Sequence, residues 1–161
     1  MDPVTTFISS INDPFITALS LLFHDEFRMI AIMAVMLVAT TLVFKERKKI
    51  PLLLLTLLIG FVVAWFVKGA DASVRPCTFL PAKVECPSGY SFPSGHALGA
   101  FSFAAVMIGS ASFPLYFLLS LFVSFSRIYL GVHAFVDIAA SLSIAIASRC
   151  LAERLLKNVV L

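Results

Sequence analysis

The distribution of charged residues constrains the fold more than any other feature of this 161-residue sequence. No Asp, Glu, Lys or Arg occurs within residues 86–126, and residues 29–44 and 50–67 are also free of these side chains. A bilayer core is about 30 Å thick and takes roughly 20 apolar residues of helix, with a lower limit near 17. Since 60% of the residues are hydrophobic and only 13% are charged, we expect a membrane-embedded helical protein and not a soluble globular domain.

The uncharged segments predict an all-α, polytopic bundle of five spanning helices. Flanking Lys and Arg side chains can reach the head groups, so the two shorter segments are still long enough to span. The 86–126 segment is too long for one span and holds two, separated at 109–114, where Gly and Pro favour a tight turn. The predicted spans cover residues 28–45, 50–68, 94–110, 114–131 and 134–156. No internal repeat is evident, and residues 1–161 are expected to form one membrane-embedded domain.

The first 26 residues differ from the predicted spans. They mix apolar positions with an Asn-Asp-Pro sequence at 12–14 and have no basic segment, so a cleaved signal peptide is not expected. The spacing of the apolar residues favours an amphipathic helix over residues 1–26 that lies in the membrane interface. A sixth span interrupted at Pro14 is the alternative. His24, next to Asp25 and Glu26, is interpreted as an interfacial residue.

Basic residues are distributed unevenly between the two sides that five alternating spans would create. One side has seven of them: Lys45, Arg47, Lys48, Lys49, Arg149, Arg154 and Lys157. The other side has five (Arg28, Lys68, Arg75, Lys83 and Arg127), and three of these belong to the motifs described below. Because cytoplasmic loops carry an excess of Lys and Arg, we expect the 69–92 loop and the motifs to face out of the cytoplasm.

Two of the three cysteines lie in this outward loop. Cys77 and Cys86 each have a proline neighbour, and the compartment outside the cytoplasm is where disulfides persist. Pairing them would contribute roughly 2–3 kcal/mol in the chain-entropy description of loop closure. We therefore expect a Cys77–Cys86 disulfide, with two free thiols as the alternative. Cys150, in the last helix, is expected to serve packing.

Three cations are expected to converge on the outer face: Lys68 ends the second predicted span, Arg75 lies seven residues further on in the outward loop, and Arg127 is near the end of the fourth span. A phosphoryl group in transfer carries negative charge on its equatorial oxygens, and a site poor in water has to neutralise that charge. Arginine binds phosphate with two parallel hydrogen bonds, whereas lysine acts as a point charge. The sequence has no acidic cluster with metal-ligand spacing, so we expect a phosphate site that uses no metal and no cofactor. Its position at the membrane surface predicts a lipid phosphate in the bilayer, and not nucleic acid, as the partner.

The sequence Pro93-Ser94-Gly95-His96 begins the third predicted span. The N-terminus of a helix presents free N–H groups to a phosphate. Gly95 allows the backbone to approach the ligand, Ser94 can cap the helix or donate its hydroxyl, and His96 would then lie beside the bound group. A partial copy at 87–90 has neither a histidine nor a following apolar segment, so it is interpreted as loop.

His133 and Asp137 are four residues apart, which places them one above the other if this stretch is helical. A carboxylate that holds one imidazole nitrogen fixes the tautomer and leaves the other nitrogen free for nucleophilic attack. An ionisable residue inside a span also needs a partner, and His133 is the obvious partner for Asp137. With Arg127 close by in sequence, the pair indicates a histidine nucleophile.

Three motifs together resemble the signature of the type 2 phosphatidic acid phosphatase superfamily, in particular its small bacterial integral-membrane lipid phosphatases: Lys-x6-Arg-Pro at 68–76, Pro-Ser-Gly-His at 93–96, and Ser-Arg-x5-His-x3-Asp at 126–137. The resemblance implies that His133 is the nucleophile of a phosphohistidine intermediate, that Asp137 orients it, and that His96 is the general acid. It further implies that the other motif residues bind the phosphate: Lys68, Arg75, Ser94, Gly95 and Arg127. It also implies a multi-pass protein of the bacterial cytoplasmic membrane.

Other classes of protein fit the sequence less well. Soluble vanadium haloperoxidases have a similar phosphate site, but five predicted spans argue against that class. A catalytically silent scramblase or scaffold would be expected to lack at least one of His96, His133 and Asp137, and all three are present. A transporter would collect its charged residues near the midplane of the membrane, whereas here they collect at one face.

The sequence does not identify the lipid. Four substrates are considered: undecaprenyl diphosphate, the phosphate groups of lipid A, phosphatidylglycerol phosphate and phosphatidic acid. An outward-facing site favours the first two, because carrier-lipid recycling and lipid A trimming occur outside the cytoplasm. The short 69–92 loop leaves little protein to exclude a large head group, so we expect both diphosphate and monophosphate lipids to be accepted.

Overall fold

The computed structural model describes the backbone of residues 2–160 and the side chains of residues 2–157. Seven α-helices and two short 3-10 turns occur in this part of the chain, with no strand, so the all-α prediction is confirmed. The helices are α1 (Pro3–Ser10), α2 (Pro14–Leu21), α3 (Glu26–Leu42), α4 (Ile50–Asp71), α5 (Gly95–Val106), α6 (Phe113–Tyr129) and α7 (Phe135–Val160). The 3-10 turns cover Arg47–Lys49 and Pro76–Thr78.

Helix α5 forms the centre of the bundle. Every residue from Ala97 to Val106 is buried, and α4, α6 and α7 pack around this helix. Gly and Ala at several of its positions let the neighbouring backbones approach closely, as is common between helices in membranes. The residues that begin α5 are therefore held at the meeting point of four helices.

Two helices, α4 and α7, are long and apolar enough to cross a membrane, whereas α5 and α6 are apolar but shorter. The predicted count of five spans therefore stays a prediction. The predicted bounds differ from the helix ends by up to four residues. Helix α5 ends at Val106 and not at residue 110: Gly109 has a positive φ of 79°, which does not continue a helix, and the Lys49 ammonium donates to the carbonyls of Val106 (3.1 Å) and Ile108 (3.3 Å). Helix α4 continues past Lys68 to Asp71.

The N-terminal region consists of two short helices in place of the single amphipathic helix expected over residues 1–26. Pro14 has no N–H to continue α1 and instead occupies the first turn of α2, which the Asp13 carboxylate caps by accepting from the N–H of Ile16. Each helix has eight residues and is about 12 Å long at 1.5 Å per residue. Neither helix is long enough to span a bilayer core of about 30 Å.

Contacts between distant parts of the chain fix this N-terminal region on the bundle. The Tyr129 hydroxyl donates to the Asp13 carbonyl (2.8 Å), and the first N–H of α7, from Phe135, donates to the hydroxyl of Thr5 (2.8 Å). Thr5 is fully buried. Residues close to the N-terminus thus cap the helix that begins just after His133.

The loop between α4 and α5 lies over the same end of the bundle. The Lys83 ammonium donates to the carbonyls of Ser9 (2.7 Å) and Tyr129 (2.9 Å), which ties the loop to α1 and α6. The sulfur atoms of Cys77 and Cys86 are at bonding distance, with their Cα atoms 5.5 Å apart. Cys150 is exposed, so the expectation that it serves packing is wrong: its side chain lies on the outer, apolar surface of α7.

Candidate active site

A cavity of about 710 Å³ opens where α3, α4, α5 and the loops around α6 and α7 meet. Its lining includes six of the predicted site residues: Lys68, Arg75, Gly95, His96, Arg127 and His133. Segments 24–27 and 87–90 complete the lining. The three sequence motifs therefore converge in space on one concave surface.

His133 and Asp137 form a buried pair at one wall of this cavity, each only 2% exposed. The Nδ1 atom of His133 is 3.1 Å from Oδ2 of Asp137. Because a carboxylate only accepts hydrogen bonds, Nδ1 carries the proton and Nε2 has the free lone pair. The Asp137 carboxylate also accepts from the N–H of Ala134 (2.9 Å) and from the Ser91 hydroxyl, so it is held in place from three directions.

The electrostatic surroundings keep His133 neutral. Its pKa is lowered from 6.5 to about 4: burial is the largest cause and the charges of Arg127 and Arg75 act in the same direction, while the hydrogen bond with Asp137 acts in the opposite direction. Nη1 of Arg75 lies 3.2 Å from Nε2 of His133 and donates to its lone pair. A neutral imidazole whose Nε2 lone pair faces a guanidinium is suited to attack on a phosphorus atom whose oxygens bind the same arginine.

The other two cations are fixed by backbone carbonyls. The Lys68 ammonium donates to the carbonyls of Tyr90 (2.8 Å), Ser91 (3.3 Å) and Pro93 (2.9 Å), so it fixes the segment that leads into α5. Arg127 is 2% exposed; its Nη1 donates to the Phe23 carbonyl (3.1 Å), while its Nε has no partner among the described residues. The residues that the structure describes include no group of three or more His, Cys, Asp or Glu side chains arranged to hold a metal ion.

At the start of α5, some residues line the cavity and others only support the helix. Gly95 and His96 line the cavity, and Nε2 of His96 is buried without a partner among the described residues. Ser94 is fully buried, and its hydroxyl caps α5 by accepting from the N–H of Ala97 (3.5 Å). Of the two roles that the sequence suggests for Ser94, the geometry therefore matches the cap, and its hydroxyl is not among the groups that line the cavity.

Sequence reasoning missed several residues of this site. Ser91 contacts both members of the buried pair, since its hydroxyl donates to Asp137 and lies 3.4 Å from Nδ1 of His133. His24 lines the cavity and does not merely lie in the interface. The 87–90 segment is loop, as expected, but it lines the cavity, and the Gly89 carbonyl accepts from Nε of Arg75 (3.2 Å). The one available signal was the Pro-Ser-Gly sequence at 87–89, which resembles the start of the next motif.

A second, apolar cavity of about 210 Å³ adjoins the first between α3, α4 and α5. It is lined by Glu26, Met29, Ile30, Met33, Phe61, Gly95 and His96, three of which also line the larger cavity. A Cβ atom on Gly99 would lie 3.2 Å from Sδ of Met33, so the glycine lets this methionine pack close to α5. We call this apolar cavity the groove.

Comparisons with known proteins agree with this geometry. An undecaprenyl-diphosphatase from Sulfolobus acidocaldarius is 34% identical over 112 residues, which are 63% of this chain and 53% of that protein. This chain thus aligns with about half the length of that curated relative.

Two solved structures have the same fold. LpxE from Aquifex aeolicus superposes with a TM-score of 0.75 at 21% identity, covering 94% of this chain and 93% of that one. A PAP2 type phosphatidylglycerolphosphate phosphatase from Bacillus subtilis superposes with a TM-score of 0.72 at 18% identity, covering 96% and 83%. A family model, that of the PAP2 superfamily, matches residues 52–159. The match includes all three motifs, so the resemblance inferred from the sequence is confirmed, and the chain belongs to the PAP2 superfamily.

Proposed function

We propose that this protein is a metal-independent membrane phosphatase that hydrolyses the phosphate or diphosphate head group of a lipid through a phosphohistidine, releasing one phosphate. The observation that carries the proposal is the state of His133. Its Nδ1 is bound to Asp137 at 3.1 Å, and its Nε2 lies on the cavity wall, 3.2 Å from a guanidinium nitrogen of Arg75. A positioned and neutral nucleophile beside cations is the arrangement that phosphoryl transfer requires.

In the proposed reaction, Nε2 of His133 attacks the phosphorus atom while the bond from phosphorus to the oxygen on the lipid side breaks. His96 gives its proton to that leaving oxygen. Lys68, Arg75 and Arg127 neutralise the charge on the equatorial oxygens, and the N–H groups at Gly95 and the start of α5 add further hydrogen bonds. Water then attacks the phosphohistidine, with His96 as the base, which releases phosphate and restores both histidines.

The groove supports a lipid as the substrate. It begins at His96, the group that would protonate the leaving oxygen, and its lining is otherwise mostly apolar. A lipid whose phosphate binds in the large cavity would place the start of its tail there. Undecaprenyl diphosphate is the favoured substrate, because the curated relative is named an undecaprenyl-diphosphatase; the 1-phosphate of lipid A is proposed beside it.

A second candidate is phosphatidylglycerol phosphate or phosphatidic acid. The structural similarity to a phosphatidylglycerolphosphate phosphatase favours the first of these, and the cavity of about 710 Å³ is large enough for either head group. We expect more than one of the four lipids to be hydrolysed.

The test is phosphate release by the purified protein in detergent, with the four lipids offered in parallel and His133→Ala as the control. Release by the wild type that is lost in the variant is expected, and the order of rates identifies the preferred lipid. If the folded wild type released no phosphate from any of them, the protein would be a catalytically silent scramblase or scaffold. Turnover of a single lipid would contradict the proposed breadth.

The same assay tests the absence of a metal. Activity is expected to persist in EDTA, because three fixed cations take the place of Mg²⁺, and to be inhibited by vanadate, which adopts the geometry of a phosphoryl group in transfer. A strict requirement for Mg²⁺ would contradict the role given to Lys68, Arg75 and Arg127.

A further inference from the structure

His24 lies in the turn between α2 and α3, outside the region that the family model matches, yet it is part of the cavity wall. Its neighbour Phe23 is buried, and the Phe23 ring packs edge-on against that of Phe122 at 5.5 Å. The Phe23 carbonyl accepts from Nη1 of Arg127 at 3.1 Å. Contacts of both the side chain and the backbone of Phe23 therefore fix the turn. Arg127, which the proposed mechanism places at the phosphate, also holds the residue before His24.

Three nitrogen atoms of residues that line this cavity are buried and have no partner among the described residues: Nδ1 of His24, Nε2 of His96 and Nε of Arg127. Buried polar atoms without a partner are uncommon and costly. His96 and Arg127 are already placed at the transferred phosphoryl group by the proposed mechanism. His24 is the member of this set that the mechanism does not use.

The position of His24 along the bound lipid follows from the groove. The groove begins at Glu26, Gly95 and His96, so a lipid tail would leave the large cavity beside the first turn of α3. His24 is two residues before Glu26 and lines the large cavity on the side of the turn that leads into α3. The portion of the substrate near His24 would then be the linkage between the transferred phosphoryl group and the lipid tail.

This inference rests on the proposed function: we propose that His24 hydrogen-bonds the phosphate that remains on the lipid when a diphosphate head group is cleaved. A lipid monophosphate has only an ester oxygen at that point and offers His24 no acceptor of comparable strength. His24 is therefore a residue that favours diphosphate over monophosphate lipids.

The electrostatics of the turn agree with a donor role. Burial and the charge of Arg127 lower the pKa of His24, against the opposing effect of Asp25. The neutral ring still has one N–H to donate. Asp25 and Glu26 are exposed, so their carboxylates remain solvated at the rim of the cavity.

The experiment compares a polyprenyl diphosphate with the monophosphate of the same tail, using wild type, His24→Ala and His24→Asn. The loss of one hydrogen bond to a charged group predicts that His24→Ala lowers kcat/KM for the diphosphate by about 10-fold, with little change for the monophosphate. The asparagine amide lies near the position of Nδ1 and is expected to restore most of the loss. Leu22→Ala, at a half-exposed position in the same turn, is the control that should change neither activity.

Inhibition by methylenediphosphonate and by methylphosphonate provides a second measurement that needs no turnover of the monophosphate. His24→Ala should weaken inhibition by the first compound selectively. Equal losses on both lipids, or no loss on the diphosphate, would overturn the assignment of His24 while leaving the phosphatase function in place. A wild type without His133-dependent activity on either lipid would overturn both proposals.

Discussion

At the scale of single residues, the site depends on how Asp137 is held. It accepts hydrogen bonds from His133, Ser91 and the N–H of Ala134, and Asp137 itself is not among the residues that line the cavity where a phosphate would bind. Its effect on the reaction therefore passes through the tautomer and the orientation of His133. In the proposed mechanism Asp137 is therefore a positioning residue, and a change at this position should affect turnover more than binding.

Asp137→Asn is expected to lower kcat by about 10²–10⁴-fold, the range typical of lost proton-transfer or tautomer control. KM should change little, because Lys68, Arg75 and Arg127 remain in place. Steady-state kinetics on one lipid would measure both constants. A raised KM with a normal kcat would contradict the positioning role.

The pH dependence of His133 follows from its lowered pKa of about 4, against an ordinary value of 6.5. Between these values the unfolded chain binds a proton that the folded protein does not, so this residue makes stability fall as the pH drops from 6.5 to 4 and has no effect above 6.5. The nucleophile itself is expected to stay neutral down to about pH 4.

Titration of ¹⁵N-histidine-labelled protein by NMR would measure this directly, with His133→Ala used to assign the signal. A ring that titrates near 6.5 would show that the site is far more solvated than the burial of His133 indicates.

The residues that sequence reasoning found are those whose spacing has a chemical meaning. His133 and Asp137 are one helical turn apart, and Lys68 and Arg127 each occur where an apolar segment ends. Ser91 and His24 have no such signal. They reach the site through the path of a loop and the docking of a short helix, and a single sequence does not encode those long-range contacts in any local pattern.

At the scale of elements, the groove between α3, α4 and α5 makes a separate prediction. Ile30→Trp would fill part of the groove with an indole. We expect KM for long-chain lipids to rise about 10-fold, because the lipid tail would lose one well-packed apolar contact worth about 1–2 kcal/mol. Hydrolysis of a water-soluble aryl phosphate, which has no tail, should be unchanged.

Val35→Trp is the matched control, because Val35 is exposed on the same helix but does not line the groove. If both variants, or neither, changed KM for lipids, the tail would bind elsewhere.

The helices themselves could largely be predicted from the uncharged segments, because a long apolar stretch has few alternatives to a helix in a bilayer. The exact ends of the helices could not be predicted in this way. Helix α5 stops before Gly109, which has a positive φ, and Lys49, distant in sequence, satisfies carbonyls at this end. The N-terminal region divides at Pro14, where Asp13 caps a new helix.

At the scale of the whole molecule, the orientation in the membrane is still a prediction based on basic residues. A cysteine placed at the exposed position Val74, in a Cys150→Ser background, is expected to react with a membrane-impermeant maleimide in intact cells. A cysteine at Lys48, also exposed, should react only after the cells are permeabilised. The opposite pattern would place the cavity in the cytoplasm.

The hydrogen bonds from Arg127 to Phe23 and from Phe135 to Thr5 join residues 104 and 130 positions apart. Their consequence concerns biosynthesis. A ribosome that has delivered only the first hundred residues has made the turn that bears His24, but neither Arg127 nor His133. If His133 is the nucleophile as proposed, the nascent chain has none while its first helices enter the bilayer, and the proposed hydrolysis of lipids would begin only after the last helix has been inserted and the N-terminal helices have docked against it.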